Sequence, residues 1–469
     1  MKQKRVALSL GGQLHGYHGT YRLLVLMLSA MLVLAGLTGC TEDKGETAEK
    51  QVLKVMDSSE WSFSMEYGDY INAAFPNLEV QVSSTSDAMD YALPREERLK
   101  RMKELIASEQ PDLILLGDDS MYKALADEGL LSDLSVYLSE DNNLEQHIHP
   151  GIIEQMKQNR DGALYALTPN LRGQLLFYNE DLFNRLGIGL PQDGMTWAEI
   201  LQLAQRVTQS SSSEGEKAIG FLPAFPGPSG LANLIGMTDQ LGTYPYRVST
   251  GVMTVNMPAW QHVYRTAIEA YKSGTFELGM EEGNGEQPIA SYGEPGQTDL
   301  FTEGRAGMVV GSYRAYQDVP FKLGAVGAPV DEATRTRSFS IYPGFTMSLR
   351  AGTPMAQVGW DVIAFIMGDY VAKVRAGFTQ DGSSDNAIPS NITYADYAKD
   401  PIIKSIYRQM PSNLPSDYGK LSNSASSEMA DMINKEVSNT MMDKQTFEQM
   451  IEQMQTQGQQ LLDRELKKK

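Results

Sequence analysis

Strand-like and helix-like stretches alternate along most of the chain after residue 51. Residues 78–82 (LEVQV) alternate apolar and polar side chains, as a half-buried strand does, and residues 113–116 form a continuous apolar run suited to a fully buried strand. Between them, residues 95–108 place apolar side chains at helical spacing. Alternating elements of these lengths predict an α/β fold with mostly parallel sheets.

The alternation continues into the middle of the chain. Further predicted strands are residues 52–56, 164–168, 175–179 and 219–222, and further predicted helices are residues 67–75, 180–186 and 197–208. Residues 209–216 (QSSSSEGE) and 279–299 are poor in aliphatic residues, so we expect both to be surface loops. From residue 424 to the end the pattern is helical.

An apolar run, residues 23–40, ends on the only cysteine of the chain. Basic residues precede it and no acidic residue comes before Glu42, as in a secretory signal. Residues 37–40 (LTGC) are similar to a bacterial lipobox, which predicts a signal peptide over residues 1–39 and a lipid on Cys40. A plain signal peptide or an N-terminal membrane helix is the alternative. Residues 40–50 are polar and predict a flexible tether.

The composition limits what the rest of the chain can be. Roughly 430 residues follow Cys40, enough for two domains of ordinary size. Because no second cysteine exists, no disulfide can form within one chain, and packed cores must supply the stability. The formal net charge is −19, and removal of the basic leader makes it more negative. Such a chain repels phosphate backbones, which argues against nucleic-acid binding.

Motifs that usually mark catalysis are missing from the sequence. It contains no G-x-S-x-G, P-loop or H-E-x-x-H pattern. Only three histidines lie after Cys40, which argues against a metal site, and no cofactor is predicted. Carboxylates are abundant, so a secreted glycosidase that uses two of them stays an alternative.

Four motifs, in order and at the right spacing, are similar to those of extracellular solute-binding proteins of ABC importers. The similarity is to the carbohydrate-binding group that includes maltodextrin-binding proteins. The motifs are residues 111–134; residues 164–200, which contain LYALTP, LFYNEDLF, LG and TWAEI; residues 301–311; and residues 354–368.

The resemblance implies a two-lobe periplasmic-binding-protein fold with crossing hinge strands. It implies an N-terminal lobe of residues 51–175 and 343–400 and a C-terminal lobe of residues 176–342 and 401–469. The expected function is a monomeric, lipid-anchored receptor outside the cytoplasm, which binds a sugar or oligosaccharide between the lobes and delivers it to permease subunits. A receptor for a peptide, a polyamine or an anion is the alternative.

Candidate ligand-binding residues of the N-terminal lobe follow from the same resemblance. The loop after the first strand carries Glu60 and Trp61, a carboxylate for sugar hydroxyls and a ring for stacking on a pyranose. The loop after residue 116 carries Asp118 and Asp119, of which one is expected to cap a helix and the other to face the ligand. Trp61 has packing at the lobe edge as its alternative role.

Arg172 stands where maltodextrin-binding relatives carry a ligand-binding carboxylate. An arginine there replaces an acceptor by a fork of donors, which argues against maltodextrin and suits an acidic or differently hydroxylated sugar. Pairing with Asp118 or Asp119 is its alternative role.

Three aromatic residues complete the predicted site. Phe225 occupies the aromatic loop of the second lobe, Tyr313 stands where relatives have a stacking tryptophan, and Tyr342 lies at the second crossing. Packing within a lobe is the alternative for each. A fourth aromatic residue, which relatives have near the C-terminal part, is missing around residues 421–427, so a ligand shorter than a long glucan is expected.

Overall fold

The structure is a computed structural model that describes residues 50–467 apart from residues 91, 118, 158–161, 214–216, 223–226, 277–299, 317, 379–386 and 414–420. The described strands are β1 (Gln51–Asp57), β2 (Leu78–Ser84), β3 (Leu113–Leu116), β4 (Asn170–Asn179), β5 (Ile219–Leu222), β6 (Tyr246–Arg247), β7 (Val252–Met253), β8 (Ala306–Ser312), β9 (Leu323–Gly327), β10 (Arg337–Ser338), β11 (Ile341–Pro343), β12 (Thr346–Leu349), β13 (Ala387–Pro389) and β14 (Met410–Pro411).

Helices separate most of these strands, so the predicted α/β class is confirmed. The described helices are α1 (Glu60–Phe63), α2 (Asp69–Ala74), α3 (Arg95–Glu109), α4 (Asp119–Asp127), α5 (Ser135–Glu140), α6 (Asn142–His147), α7 (Pro150–Lys157), α8 (Glu180–Arg185), α9 (Trp197–Ser213), α10 (Gly230–Thr238), α11 (Pro258–Lys272), α12 (Ala356–Ile366), α13 (Asp369–Phe378), α14 (Tyr394–Tyr397), α15 (Ile402–Arg408), α16 (Asn423–Met441) and α17 (Phe447–Leu466). A π-helical turn, Ser64–Gly68, joins α1 to α2.

The first sheet has the strand order β12-β3-β1-β2. Strands β1 and β3 are parallel, with Val55 opposite Leu113, so their carboxyl ends meet at one edge of the sheet. Strand β12 runs antiparallel to β3, with Thr346 opposite Leu116, so the amino end of β12 lies at that same edge. All four residues of β3 are buried, as their apolar run predicts for a central strand.

The second sheet is built around the long strand β4. Its order is β11-β4-β8-β5, and β9 and β13 also pair with β4. The first part of β4 pairs with β11 and β13, and the remainder pairs with β8 and β9. Strand β4 therefore connects two parts of the molecule, as a crossing hinge strand does.

Two hydrophobic cores lie on opposite faces of strand β4. The first gathers side chains of β1, β3 and β12 with Trp360 of α12, and the second gathers α9, α11 and the C-terminal helices. Strand β4 supplies Leu175 and Phe177 to the first core and Leu176 and Tyr178 to the second, so consecutive side chains enter different cores. The lobe boundaries expected from the sequence stay a prediction.

Two predicted elements differ from the structure. Residues 209–213 of the predicted serine-rich loop extend helix α9, because Ser211, Ser212 and Ser213 donate side-chain hydrogen bonds to carbonyls of the preceding turn and Ser211 is buried. The predicted strand over residues 164–168 is a single bridge between Leu167 and Met347. The predicted loop over residues 279–299 lies outside the described residues. None of the described helices is long and apolar enough to cross a membrane.

Candidate functional site

The carboxyl end of β1 leads directly into α1, where the candidate residues Glu60 and Trp61 lie. The Ser59 side chain caps this short helix and accepts a hydrogen bond from the Ser62 amide at 3.0 Å. Glu60 is exposed, and Trp61 is 74 % exposed. An indole this exposed contributes little to a core, so its surface is available to a ligand.

A buried carboxyl group lies beneath this turn and was not predicted from the sequence. Asp57 ends β1, is buried, and accepts a hydrogen bond from the Ser58 amide at 2.6 Å. Burial raises the pKa of Asp57, and the neighbouring carboxylate of Glu66 acts in the same direction. The π-helical turn that follows α1 is a form that often occurs at functional sites.

The carboxyl end of β3 lies beside that of β1, as the parallel pairing requires. Asp118 lies outside the described residues, and Asp119 begins α4 without a described side chain. Gly117 lies against Phe345, whose Cε1 would be 2.8 Å from any Cβ at that position. Phe345 is 38 % exposed, so it is a second partly exposed aromatic side chain at this edge of the sheet, besides Trp61. No sequence motif predicted it.

Arg172 and Tyr342 are brought together by the crossing strands. They are direct partners in the antiparallel pair of β4 and β11, so their side chains leave the same face of the sheet. Arg172 is exposed and Tyr342 is half-buried. Within the described part of the chain, the Arg172 guanidinium makes no hydrogen bond or ion pair. Two of the candidate residues thus form one open surface at the crossing.

Gln174 extends this surface and was missed by the sequence analysis. It lies two residues after Arg172, on the same face of β4, and is paired with the exposed Ser312 of β8. The Gln174 Oε1 atom is buried without a hydrogen-bond partner among the described groups. On the opposite face, a Cβ at Gly173 would be 3.2 Å from Ile406, so that face packs on α15.

Tyr313 follows β8 and is only 5 % exposed. Its hydroxyl donates a hydrogen bond to Asp400 at 3.0 Å, and burial raises the pKa of Tyr313 to about 12. Its ring belongs to the first core, so in this structure it offers little surface to a ligand. Its predicted stacking role stays a prediction. Phe225 and Cys40 lie outside the described residues.

The chemistry of these groups is that of binding. Exposed aromatic rings, a guanidinium, an amide and a hydroxyl suit a polar ligand with an apolar face. In the described ranges, no cluster of histidine, cysteine, aspartate and glutamate side chains is placed to hold a metal ion. A surface depression of about 560 Å³ lies elsewhere, between α11 and the turn that precedes α17.

Comparison with known proteins agrees with this geometry. The family model described as bacterial extracellular solute-binding protein matches residues 63–373. The sn-glycerol-3-phosphate-binding periplasmic protein UgpB of Brucella abortus (strain 2308) is 23 % identical over 161 residues, which are 34 % of this chain and 35 % of that protein. The protein of the same name from Rhizobium meliloti (strain 1021) is 21 % identical over 207 residues, 43 % of this chain and 46 % of that protein. The chain thus matches less than half the length of these curated relatives.

Solved structures of similar fold cover nearly the whole described chain. The sugar-binding protein MalE from Xanthomonas citri superposes with a TM-score of 0.61 at 13 % identity, covering 88 % of this chain and 98 % of its own. A sugar transporter from Rhizobium etli superposes with a TM-score of 0.60 at 17 % identity, covering 88 % of this chain and 99 % of its own. Likeness at this level of identity establishes the fold, and the expected two-lobe architecture is confirmed.

Proposed function

This chain belongs to the bacterial extracellular solute-binding proteins, and from that premise we propose that it is the receptor of an ABC importer for a sugar or an oligosaccharide. The observation that carries the proposal is the open face of β4. Arg172 presents an exposed guanidinium there without a partner among the described residues, and the Oε1 atom of Gln174 lies buried without a partner beside it, on the long strand that pairs with both groups of strands. A ligand on this face would contact groups of both lobes.

A sugar also fits the candidate groups that follow β1. The exposed ring of Trp61 suits the apolar face of a pyranose, and Glu60 suits a pair of adjacent hydroxyls. The similar proteins include a sugar-binding protein and an sn-glycerol-3-phosphate-binding protein. Peptides and polyamines are the competing solutes.

The proposed mechanism is conformational. Strand β4 runs from its pairing with β11 and β13 to its pairing with β8 and β9, and residues 339–341 run from Phe339 on the second core to Ile341 in the first. Bending at these two places would move one lobe against the other. A solute that contacts both lobes stabilises the closed arrangement in proportion to its greater affinity for that arrangement. The closed form would then dock on permease subunits, and a separate nucleotide-binding subunit would use the ATP.

We also propose where the protein works. A lipid on Cys40 would hold it on the outer side of the cell membrane, and residues 40–50 would act as a tether. Anchoring beside the permease raises the effective concentration of the receptor there. The receptor acts as a monomer, needs no cofactor and has no catalytic activity, in keeping with a family of binding proteins.

A thermal-shift screen over neutral and acidic sugars, peptides and polyamines tests this function. We expect a sugar to raise the melting temperature and to be recovered unchanged after prolonged incubation with the protein. Stabilisation by peptides or polyamines alone would contradict the sugar assignment. Progressive cleavage of the sugar, followed by chromatography, would instead indicate a glycosidase.

A further inference from the structure

We infer that the solute carries a negatively charged group, a carboxylate or a phosphate, which Arg172 binds, and a neighbouring hydroxyl, which donates to the Oε1 atom of Gln174. This inference rests on the proposed function and narrows its substrate class to acidic sugars and polyol phosphates.

The first observation is that Arg172 makes no hydrogen bond or ion pair with any described residue, although the chain is rich in acidic residues. Acidic side chains outnumber basic ones by 59 to 40, and arginines elsewhere are engaged, such as Arg337 with Glu154 at 2.6 Å and Arg335 with Glu199 at 2.7 Å. Among the described residues, Arg172 and Arg206 make no hydrogen bond or ion pair. Arg206 lies exposed on α9, whereas Arg172 lies on β4 opposite Tyr342 of β11.

The second observation is independent of charge. The Gln174 Oε1 atom is buried without a partner in the described part of the chain, two residues from Arg172 on the same face of β4. A buried acceptor without a hydrogen bond is unfavourable, so rotation of the Gln174 amide, which would bring Oε1 to a hydroxyl of a bound ligand, would remove this cost. Tyr342 and Ser312, the cross-strand partners of Arg172 and Gln174, border the same surface.

Closure of the lobes makes the charge of the ligand matter. A guanidinium withdrawn from water without a counter-charge is strongly unfavourable, so a neutral solute would oppose closure over Arg172. A carboxylate or a phosphate matches the planar fork of donors with two parallel hydrogen bonds. An anion that also carries hydroxyls would satisfy both Arg172 and Gln174.

Calorimetry with matched probes tests the inference. The probes are D-glucose, D-glucuronate and D-glucose 6-phosphate, together with glycerol and glycerol 3-phosphate, so that the carboxylate and phosphate arms each have a neutral counterpart. We expect at least one acidic probe to bind 10-fold or more tightly than its counterpart, and its affinity to fall with added salt. Arg172→Gln should weaken that probe about 10- to 100-fold, as expected for a lost charged hydrogen bond.

Two further variants make the result specific. Arg206→Gln removes the other guanidinium that makes no hydrogen bond or ion pair among the described residues; it lies on α9, outside the candidate site, so the affinity should not change. Gln174→Leu should weaken the hydroxylated acidic probe without abolishing its dependence on salt. Because Arg172 is exposed and unpaired, Arg172→Gln should melt within about 2 °C of the wild type, as surface substitutions usually do.

The outcomes separate the inference from the proposed function. Binding of neutral sugars with no preference for acidic ones would overturn the inference and leave the receptor function standing. Unchanged affinity of Arg172→Gln for a bound acidic probe would also overturn it. If no sugar or polyol phosphate binds and a peptide or polyamine does, both the inference and the sugar assignment are wrong.

Discussion

Replacement of Trp61 by alanine tests the candidate site most simply, because this ring is the one exposed indole of the chain. The other three tryptophans, Trp197, Trp260 and Trp360, are buried in the two cores. Trp61 is 74 % exposed. Truncation should therefore affect ligand binding much more than it affects folding.

The size of the effect follows from area. A tryptophan side chain buries about 200 Å² when fully covered, so roughly 150 Å² of Trp61 remains open to a ligand. A sugar stacked on one face would cover about half of that, ~75 Å², which at ~25 cal/mol per Å² is about 2 kcal/mol. Trp61→Ala should thus weaken binding roughly 30-fold. The free energy of unfolding should change by no more than about 0.5 kcal/mol, as at other surface positions.

Calorimetry gives the affinity, urea unfolding gives the stability, and iodide quenching gives an independent measure of exposure. In the free protein, quenching should report mainly on Trp61, and a bound sugar should protect it. Trp61→Phe should abolish this protection. Trp360→Phe is the matched control, because Trp360 stacks on Tyr137 within the first core with ring centroids 5.5 Å apart. A large loss of stability with unchanged affinity in Trp61→Ala would refute the assignment of Trp61 to the ligand site.

Three further outcomes are expected. Cys40→Ser should release the protein from membranes or leave it unprocessed, as fractionation will show, and normal cleavage with continued membrane association would contradict lipid anchoring. Tyr313→Ala should lower the free energy of unfolding by about 3–5 kcal/mol, because the ring is buried and its hydroxyl donates a hydrogen bond to Asp400. A urea midpoint equal to that of the wild type would contradict this packing role and favour a role in ligand binding. Burial raises the pKa of Asp239 to about 6, so the folded state binds its proton more tightly than the unfolded chain does, and this contribution to stability is lost as the pH rises through about 6. The gain in melting temperature from Asp239→Asn should therefore be larger at pH 8 than at pH 5, and an equal gain at both would contradict the shift.

The sequence was most informative where a side-chain pattern has a single structural solution. The apolar run Leu113–Leu116 could only be satisfied by burial on both faces, and it forms the central strand β3. The sequence was least informative where tertiary contacts override local conformational preference. Residues 209–213 resemble a loop in composition, but Ser211 is buried and bonds to the amide of Ala218, which holds the end of α9 in place.

The candidate site was predicted only in part, and for a similar reason. Arg172 and Tyr342 were singled out separately, but their pairing depends on the register of β4 and β11, which spans 170 positions of sequence. Gln174 and Phe345 carry no motif. They belong to the site because the register of β4 and the contact between Phe345 and Gly117 place them there. The hydrogen bond of Tyr313 likewise joins it to Asp400, which is 87 residues along the chain.

The central claim is that a sugar binds between two lobes and draws them together. Small-angle X-ray scattering of the protein, with and without a saturating concentration of the sugar that raises its melting temperature, tests this most directly. A sugar that does not bind, at equal concentration, is the control. The account predicts that the radius of gyration falls only with the bound sugar. Saturated binding with an unchanged scattering curve would contradict it.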